Sequence, residues 1–388
     1  MHSRKFFAAE SATCGQPDKL CDLIVDTILD RVLAMDRFAR VDLDAMAAPG
    51  MLFLAGQLST KAYVGLESII REVVRDVGYA GPDVNFNADS IAVLHVIGEQ
   101  SHEVAAAVDN KGAGNQCVCV GYASDEGKRI GVDLDFMPLP QWLAHKLTMQ
   151  LESVRKADEL PLILPDGTAQ VVVHYENGSP TKVQSAGVCA HHKKSASIDE
   201  IRDYLMAKVI DPVLNLLPDS MTQHTEKSAN NAVAFTIGGP AADIGLSGRK
   251  SVSDTYGTAC AFGGSSPVGK DPTKTDRAAL YMARYLAKNL VAAGVAERIE
   301  LRLIYSFGRR DPISVQVESF GTANISEVDI SIALQKIVDL SSPGVVEHLR
   351  LRESAYAPLA CGGFFGRKEL ASPWERLDLV DKMKKALA

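Results

Sequence analysis

Residues 243–276 hold the densest grouping of side chains able to do chemistry: D-I-G-L-S-G-R-K-S-V-S-D-T-Y-G opens the stretch and G-G-S-S-P-V-G-K-D-P-T-K-T-D closes it. Arg249, Lys250, Lys270 and Lys274 alternate with Asp243, Asp254, Asp271 and Asp276 among glycines and small hydroxyl residues. The cations and turn-forming backbone N–H groups of such a loop can cradle a polyphosphate, and its carboxylates can hold a divalent metal. The whole chain carries a formal net charge of −7, so the basic cluster is local and is not part of a nucleic-acid-binding face. A small molecule bearing phosphates is the ligand class that fits. Gly264 to Lys270 also matches G-x-x-x-x-G-K, but Asp271 stands where a P-loop places the Ser or Thr that ligates magnesium, which argues against that fold.

The elements that must position these residues follow from periodicity. At 388 residues the chain exceeds one ordinary core, and two or three domains are expected. Short Val-, Ile- and Leu-rich runs predict strands at Met51–Ala55, Ile91–Ile97, Gln170–Tyr175, Ala232–Ile237, Glu300–Phe307 and Ser314–Phe320. Helical spacing predicts helices at Pro17–Met35, Leu66–Val77, Gln141–Arg155, Ile198–Leu217, Asp276–Ala293 and Ser326–Val338. Pro17 suits a first helical turn, and Gly294 suits a helix end. The alternation of strands and helices gives an α/β chain, with only weak internal repetition. The opening M-H-S-R-K-F-F-A-A-E lacks an apolar signal region, and no apolar run reaches membrane-span length, so a cytoplasmic protein away from membranes is expected. Seven cysteines without framework spacing suggest reduced thiols, with Cys117 and Cys119 as small buried hydrophobes on one strand face. His191 and His192, followed by two lysines, read as an exposed turn without a ligand role.

Several motifs converge on one family. G-Q-P-D-K-L-C-D at 15–22, G-A-G-N-Q at 112–116, M-P-L-P-Q-W-L-A-H-K-L at 137–147, G-G-P-A-A-D-I-G-L-S-G-R-K at 238–250, D-T-Y-G at 254–257 and G-K-D-P-T-K-T-D-R at 269–277 resemble S-adenosylmethionine synthetases. V-D-L-S-S-P-G, F-F-G-R and P-W-E resemble the family's C-terminal part. The resemblance covers nearly the whole chain and is most specific at 238–277. It implies three similar α/β domains about a pseudo-threefold axis, here 1–102, 112–235 and 236–388. It also implies a homodimer with active sites at the subunit interface, often paired into a tetramer. In such enzymes the methionine sulfur attacks C5′ of ATP and expels tripolyphosphate, which is then hydrolysed to phosphate and diphosphate. A thioether has no proton to lose, so this step needs alignment and positive charge on the leaving group rather than a base.

Carried over by motif, Asp18 and Asp276 match magnesium ligands, although either alone would suit a helix N-terminus. Lys250, Lys270 and Lys274 match the phosphate-binding lysines, with Arg249 beside them; as isolated surface charges they would be uninformative. Asp243 matches the ribose carboxylate and Phe235 the adenine-stacking aromatic, which by itself reads as a mid-strand core residue. Gln100 matches on the acceptor side. Asp44 takes the place of the potassium ligand, one methylene shorter. Gln16 replaces the histidine of the family's G-H-P-D-K, and Thr168 replaces a phosphate-binding lysine, so two cations are lost. Gln57 and Asn115 stand where carboxylates grip the ammonium of methionine, and Phe307 replaces a smaller aliphatic residue.

Three readings follow from these departures. The first is a methionine adenosyltransferase using ATP, magnesium and potassium. The second is an adenosyltransferase of the same scaffold acting on another nucleophile, or on an analogue without the ammonium group. The third is a non-catalytic nucleotide-binding paralogue with a regulatory role. The retained Asp18, Asp276 and phosphate-side lysines speak for the first two.

Overall fold

The computed structural model describes residues 4–81, 84–157, 162–231, 234–262 and 266–387. The strands in chain order are β1 (Arg4–Ala12), β2 (Arg40–Ala48), β3 (Met51–Ser59), β4 (Ala92–Gly98), β5 (Cys117–Ser124), β6 (Ile163–Glu176), β7 (Ser179–His192), β8 (Glu226–Ala229), β9 (Gly245–Leu246), β10 (Arg298–Tyr305) and β11 (Ser314–Glu318). The helices are α1 (Pro17–Met35), α2 (Leu66–Val77), α3 (His102–Asp109), α4 (Glu126–Ile130), α5 (Leu139–Lys156), α6 (Ile198–Leu205), α7 (Asp211–Leu214), α8 (Asp219–Thr222), α9 (Thr275–Ala292), α10 (Glu327–Ile337), α11 (Ser342–His348) and α12 (Val380–Ala386). The architecture is mixed α/β.

Three sheets form, ordered β4-β3-β2-β9, β1-β6-β7-β8 and β11-β10-β5. Each borrows a strand from a distant part of the chain: β9 pairs with β2, β1 with β6, and β5 with β10. A β2–β3 hairpin closes at Pro49–Gly50, where Gly50 takes φ +73, and pairs Ala48 with Met51. Helix α2 then crosses over to lay β4 parallel to β3.

Helices α1 and α9 are buried nearly all round, which is why both read as weakly amphipathic. Pro17 occupies the first turn of α1, and the Gln16 side-chain oxygen accepts from the Lys19 N–H at 3.1 Å as its N-cap. At the other end of α9, Gly294 sits at φ +79 and its N–H reaches the Val291 carbonyl, as expected for a glycine stop.

Several expectations are corrected. The helix expected over 198–217 breaks into α6, a π-turn at Met206–Ile210, and α7. Pro212 has no N–H to give, and its ring displaces the Lys208 carbonyl, which accepts instead from Gln150 Nε2 at 2.9 Å. Of the strand expected at Ala232–Ile237, residues 234–237 form no strand and bend at Ile237, and 232–233 lie outside the described residues. His191 and His192 are not an exposed turn: they end β7 and are 3% and 1% exposed. The thiols are not all reduced: Cys14 and Cys361 are joined, and the other five cysteines are free. Cys117 and Cys119 do share one buried face, with their sulfurs 3.7 Å apart.

Candidate active site

The sequence-predicted residues gather into two groups. The first surrounds the N-terminus of α1. Asp18 Oδ1 accepts from the Leu246 N–H at 2.9 Å and lies 3.4 Å from an Arg249 guanidinium nitrogen, while Lys250 Nζ lies 3.3 Å from Oδ2. Gln16 Nε2 donates to the same Oδ2 at 3.4 Å. A buried ion triad stands beneath: Lys19 Nζ meets Asp22 at 2.9 Å and Asp254 at 2.5 Å. The paired carboxylates hold the Lys19 pKa above its ordinary value despite burial, so its charge is fixed. Asp22 also accepts from the Gly248 N–H at 2.7 Å, sewing the 245–254 loop to α1. That approach requires Gly245, where a Cβ would fall 2.1 Å from the Pro17 carbonyl oxygen.

The second group surrounds the N-terminus of α9. Asp276 Oδ2 receives Lys270 Nζ at 2.8 Å and Asn115 Nδ2 at 2.7 Å. Asp276 Oδ1 is buried without a partner. Asn115 Oδ1 accepts from the Thr275 N–H at 3.2 Å and its hydroxyl at 2.5 Å, which leaves only the amide N–H₂ to face Asp276. Lys274 Nζ pairs with Asp42 at 3.3 Å, and Asp42 bridges to Lys270 across the backbone. Strand β2 joins the two groups, because Asp44 on the same strand face accepts from the Ser247 hydroxyl at 2.7 Å. Asp44 is otherwise exposed.

Of the residues expected on the acceptor side, Gln57 is exposed on β3 opposite Asp42 and beside Gly98 of β4. Two residues beyond Gly98, Gln100 is buried, and neither of its amide atoms has a partner. Phe307 is 48% exposed in a turn that docks on the Asn115 segment, since Gly308 N–H reaches the Ala113 carbonyl at 2.9 Å. Helix α3 spans most of the segment between Gln100 and Gly112 and buries no side chain.

On the nucleoside side, Phe235 is half-buried against His191, with ring centroids 5.3 Å apart, so it is not a mid-strand core residue. His192 accepts from the Phe235 N–H at 3.0 Å. Asp243 is exposed just after a short turn of 3₁₀ helix. Thr168 is exposed on β6.

Sequence reasoning passed over Asp42, Asp166 and the Lys19 triad. The alternation V-D-L-D at 41–44 put Asp42 on the face of Asp44, and Lys19 lay inside a quoted motif, so both signals were present. Asp166 gave none. It is buried and accepts from the Gly239 N–H at 2.8 Å, anchoring the turn before Asp243. Burial pushes its carboxyl up to about 6, against the pull of the backbone N–H groups. The folded state therefore prefers the protonated acid, and its stabilising contribution is present below about pH 4 and is lost as pH rises towards 6. Asp166→Asn keeps the acceptor without the charge. It should flatten the pH dependence of unfolding between about 4 and 6 and add up to ~2–3 kcal/mol at neutral pH. A denaturation series that keeps its slope across this window in the variant would refute the assignment.

Among the described residues, no three His, Cys, Asp or Glu side chains converge on one point. The donor set still suits magnesium, which commonly takes one or two carboxylates and completes its shell with substrate phosphates and water. The buried unpartnered Asp276 Oδ1 is an atom of the kind that such a shell could use.

Three family models match in sequence order: the N-terminal domain of S-adenosylmethionine synthetase over residues 4–102, its central domain over 110–235, and its C-terminal domain over 237–376. An S-adenosylmethionine synthase of Desulforudis audaxviator is 40% identical, over 99% of this chain and 99% of its own. One from Sulfurovum sp. is 41% identical with the same coverage, and one from Thermus thermophilus is 39% identical, again over 99% of both chains. Among the described residues, no helix is long and apolar enough to cross a membrane. With three family models in order along the chain, and two clusters that draw their charges from the first and third matched domains and Asn115 from the second, this chain belongs to the S-adenosylmethionine synthetase family.

Proposed function

We propose that the protein is an ATP-dependent methionine adenosyltransferase, converting ATP, L-methionine and water to S-adenosylmethionine, phosphate and diphosphate. The observation that carries this reading is the pairing of Asp18 with Arg249 and Lys250, and of Asp276 with Lys270, at two buried helix N-termini. Cations held 2.8–3.4 Å from carboxylates in this way are pre-positioned to turn onto phosphate oxygens. The full-length synthase relatives favour methionine over another nucleophile and over a non-catalytic role.

The sulfur lone pair of methionine forms the S–C5′ bond as the C5′–O bond breaks, and the tripolyphosphate leaves with that electron pair. Arg249, Lys250, Lys270 and Lys274 stabilise the departing charge, and the helix N-termini of α1 and α9 add to the field. Gln16 donates a neutral N–H near the leaving oxygen. Phe235 stacks on adenine and Asp243 holds the ribose. Gln57, Gln100 and Asn115 line the methionine side, with Phe307 at its rim. Asp18 and Asp276 would hold magnesium, which supplies charge neutralisation along the phosphates, and Asp44 would hold potassium.

The protein acts as a homodimer with shared sites. Leu94 and Val96 on one side of β4 are 52% and 66% exposed, and Val118 on β5 of another sheet is 48% exposed, apolar surface that a second copy would cover. Incubation with ATP, methionine, magnesium and potassium should yield S-adenosylmethionine with equal phosphate and diphosphate. Lys270→Ala should slow it roughly a hundredfold or more. Absence of the product by mass spectrometry, or a monomer by sedimentation, would sink the catalytic or the interfacial part respectively.

A further inference from the structure

Cys14 lies two residues before Gln16 and four before Asp18, at the start of the loop that feeds α1. It is joined to Cys361, with Cα atoms 5.3 Å apart across a sequence separation of 347 residues. The partner segment is firmly held. The Phe364 N–H donates to the Asp254 carbonyl at 2.8 Å, its carbonyl accepts from Trp374 Nε1 at 3.2 Å, and Gly363 packs against the ring of His145 with no room for a Cβ. Asp254 in turn grips Lys19. The bridge thus closes a ring that runs from Cys14 through Gln16 to Lys19, across the ion pair to Asp254, through Phe364 and back to Cys361.

The bridge is also reachable. Cys14 and Cys361 line an open cavity of about 460 Å³ together with Met149, Glu152, Lys156 and Arg367. Arg367 lines the same cavity and donates to the Cys361 carbonyl, so the segment that carries this sulfur is held at the cavity wall. The other five cysteines are free, and none of them shares this cavity.

We propose that Cys14–Cys361 is a reversible redox modification site that sets the order of the Gly15–Gln16 loop and the first turn of α1, and thereby the hold on the triphosphate; the second half of this rests on the proposed function. A small-molecule disulfide forms the bridge in two exchanges. The Cys361 thiolate attacks it and releases one thiolate; Cys14, losing its proton, then attacks the mixed disulfide and releases the second. A dithiol reverses the sequence, leaving two protein thiols and an oxidised cyclic disulfide. With the bridge open, the loop before α1 is tied only by non-covalent contacts, and re-ordering even one residue on binding weakens tripolyphosphate affinity about tenfold.

The test uses the full chain equilibrated in oxidised and reduced glutathione buffers. Alkylation of the denatured, unreduced protein should label five thiols in the oxidised buffer and seven in the reduced one, by intact mass. Amide hydrogen exchange at residues 15–19 should accelerate on reduction, without any ligand present. Binding of magnesium tripolyphosphate, by calorimetry, should weaken about tenfold. Cys361→Ser should be fixed in the reduced behaviour, whereas Cys260→Ser should keep the response. Seven labels at every potential would overturn the proposal, and so would five labels with exchange and binding unaltered by reduction. Faster exchange in a protein that binds tripolyphosphate in neither state would support the bridge as the ordering device and count against the proposed function instead.

Discussion

Asn115→Asp should lower the rate of S-adenosylmethionine formation by roughly ten- to a hundredfold, equivalent to ~1–3 kcal/mol. The residue occupies a place where a carboxylate would be expected to grip the methionine ammonium, and from sequence its restoration looks like a gain. The structure gives the opposite expectation. Asn115 Oδ1 is committed to Thr275, and its N–H₂ donates to Asp276 Oδ2 at 2.7 Å. An aspartate there would face one carboxylate with another, and two such groups cannot both stay ionised without cost. Asp276 would lose its donor, and its free Oδ1 would lose the orientation that this donor sets. Asn115→Ala removes only the hydrogen bond and should be milder. The discriminating measurement is methionine kcat/KM for wild type, Asn115→Asp and Gln57→Glu with Asn115→Asp, each across a magnesium titration. A single Asn115→Asp variant that matches or exceeds wild type would show that the residue serves the acceptor pocket and does not position Asp276.

Lys19→Met should destabilise the fold by about 3–5 kcal/mol, the usual cost of leaving buried charge without its partner. Lys19, Asp22 and Asp254 are 1%, 0% and 5% exposed, so water cannot replace the lost cation. Asp22 and Asp254 would face each other uncompensated, and the 245–254 loop bearing Arg249 and Lys250 would lose one of its ties to α1. Urea denaturation checks the size of the effect. Combining Lys19→Met with Asp254→Asn should recover part of the loss, because removing one of the stranded charges lessens the repulsion. A single variant within ~0.5 kcal/mol of wild type would show that the triad is dispensable.

The sequence alone determined the local elements whose cause is local. Helices α1 and α2 run over the residues expected, because Pro17 starts one, Gly78 ends the other, and side chains within each repeat at helical spacing. The family was equally legible, because its motifs place glycines, lysines and aspartates at fixed spacing along the chain. The tertiary structure decided everything that depends on remote pairing. No periodicity at 4–12 could show that β1 would lie beside β6, or that the two-residue β9 would join β2. No spacing could show that Cys14 would meet Cys361, or that two histidines followed by two lysines would be buried beneath Phe235. The same holds for Asn115: its residue type revealed a missing charge, but only the approach of Thr275 and Asp276 from a helix about 160 residues away determines which way its amide must face. Local propensity acts through bonds and turns close in sequence, whereas a hydrogen-bond direction or a disulfide depends on two backbones that packing alone brings together.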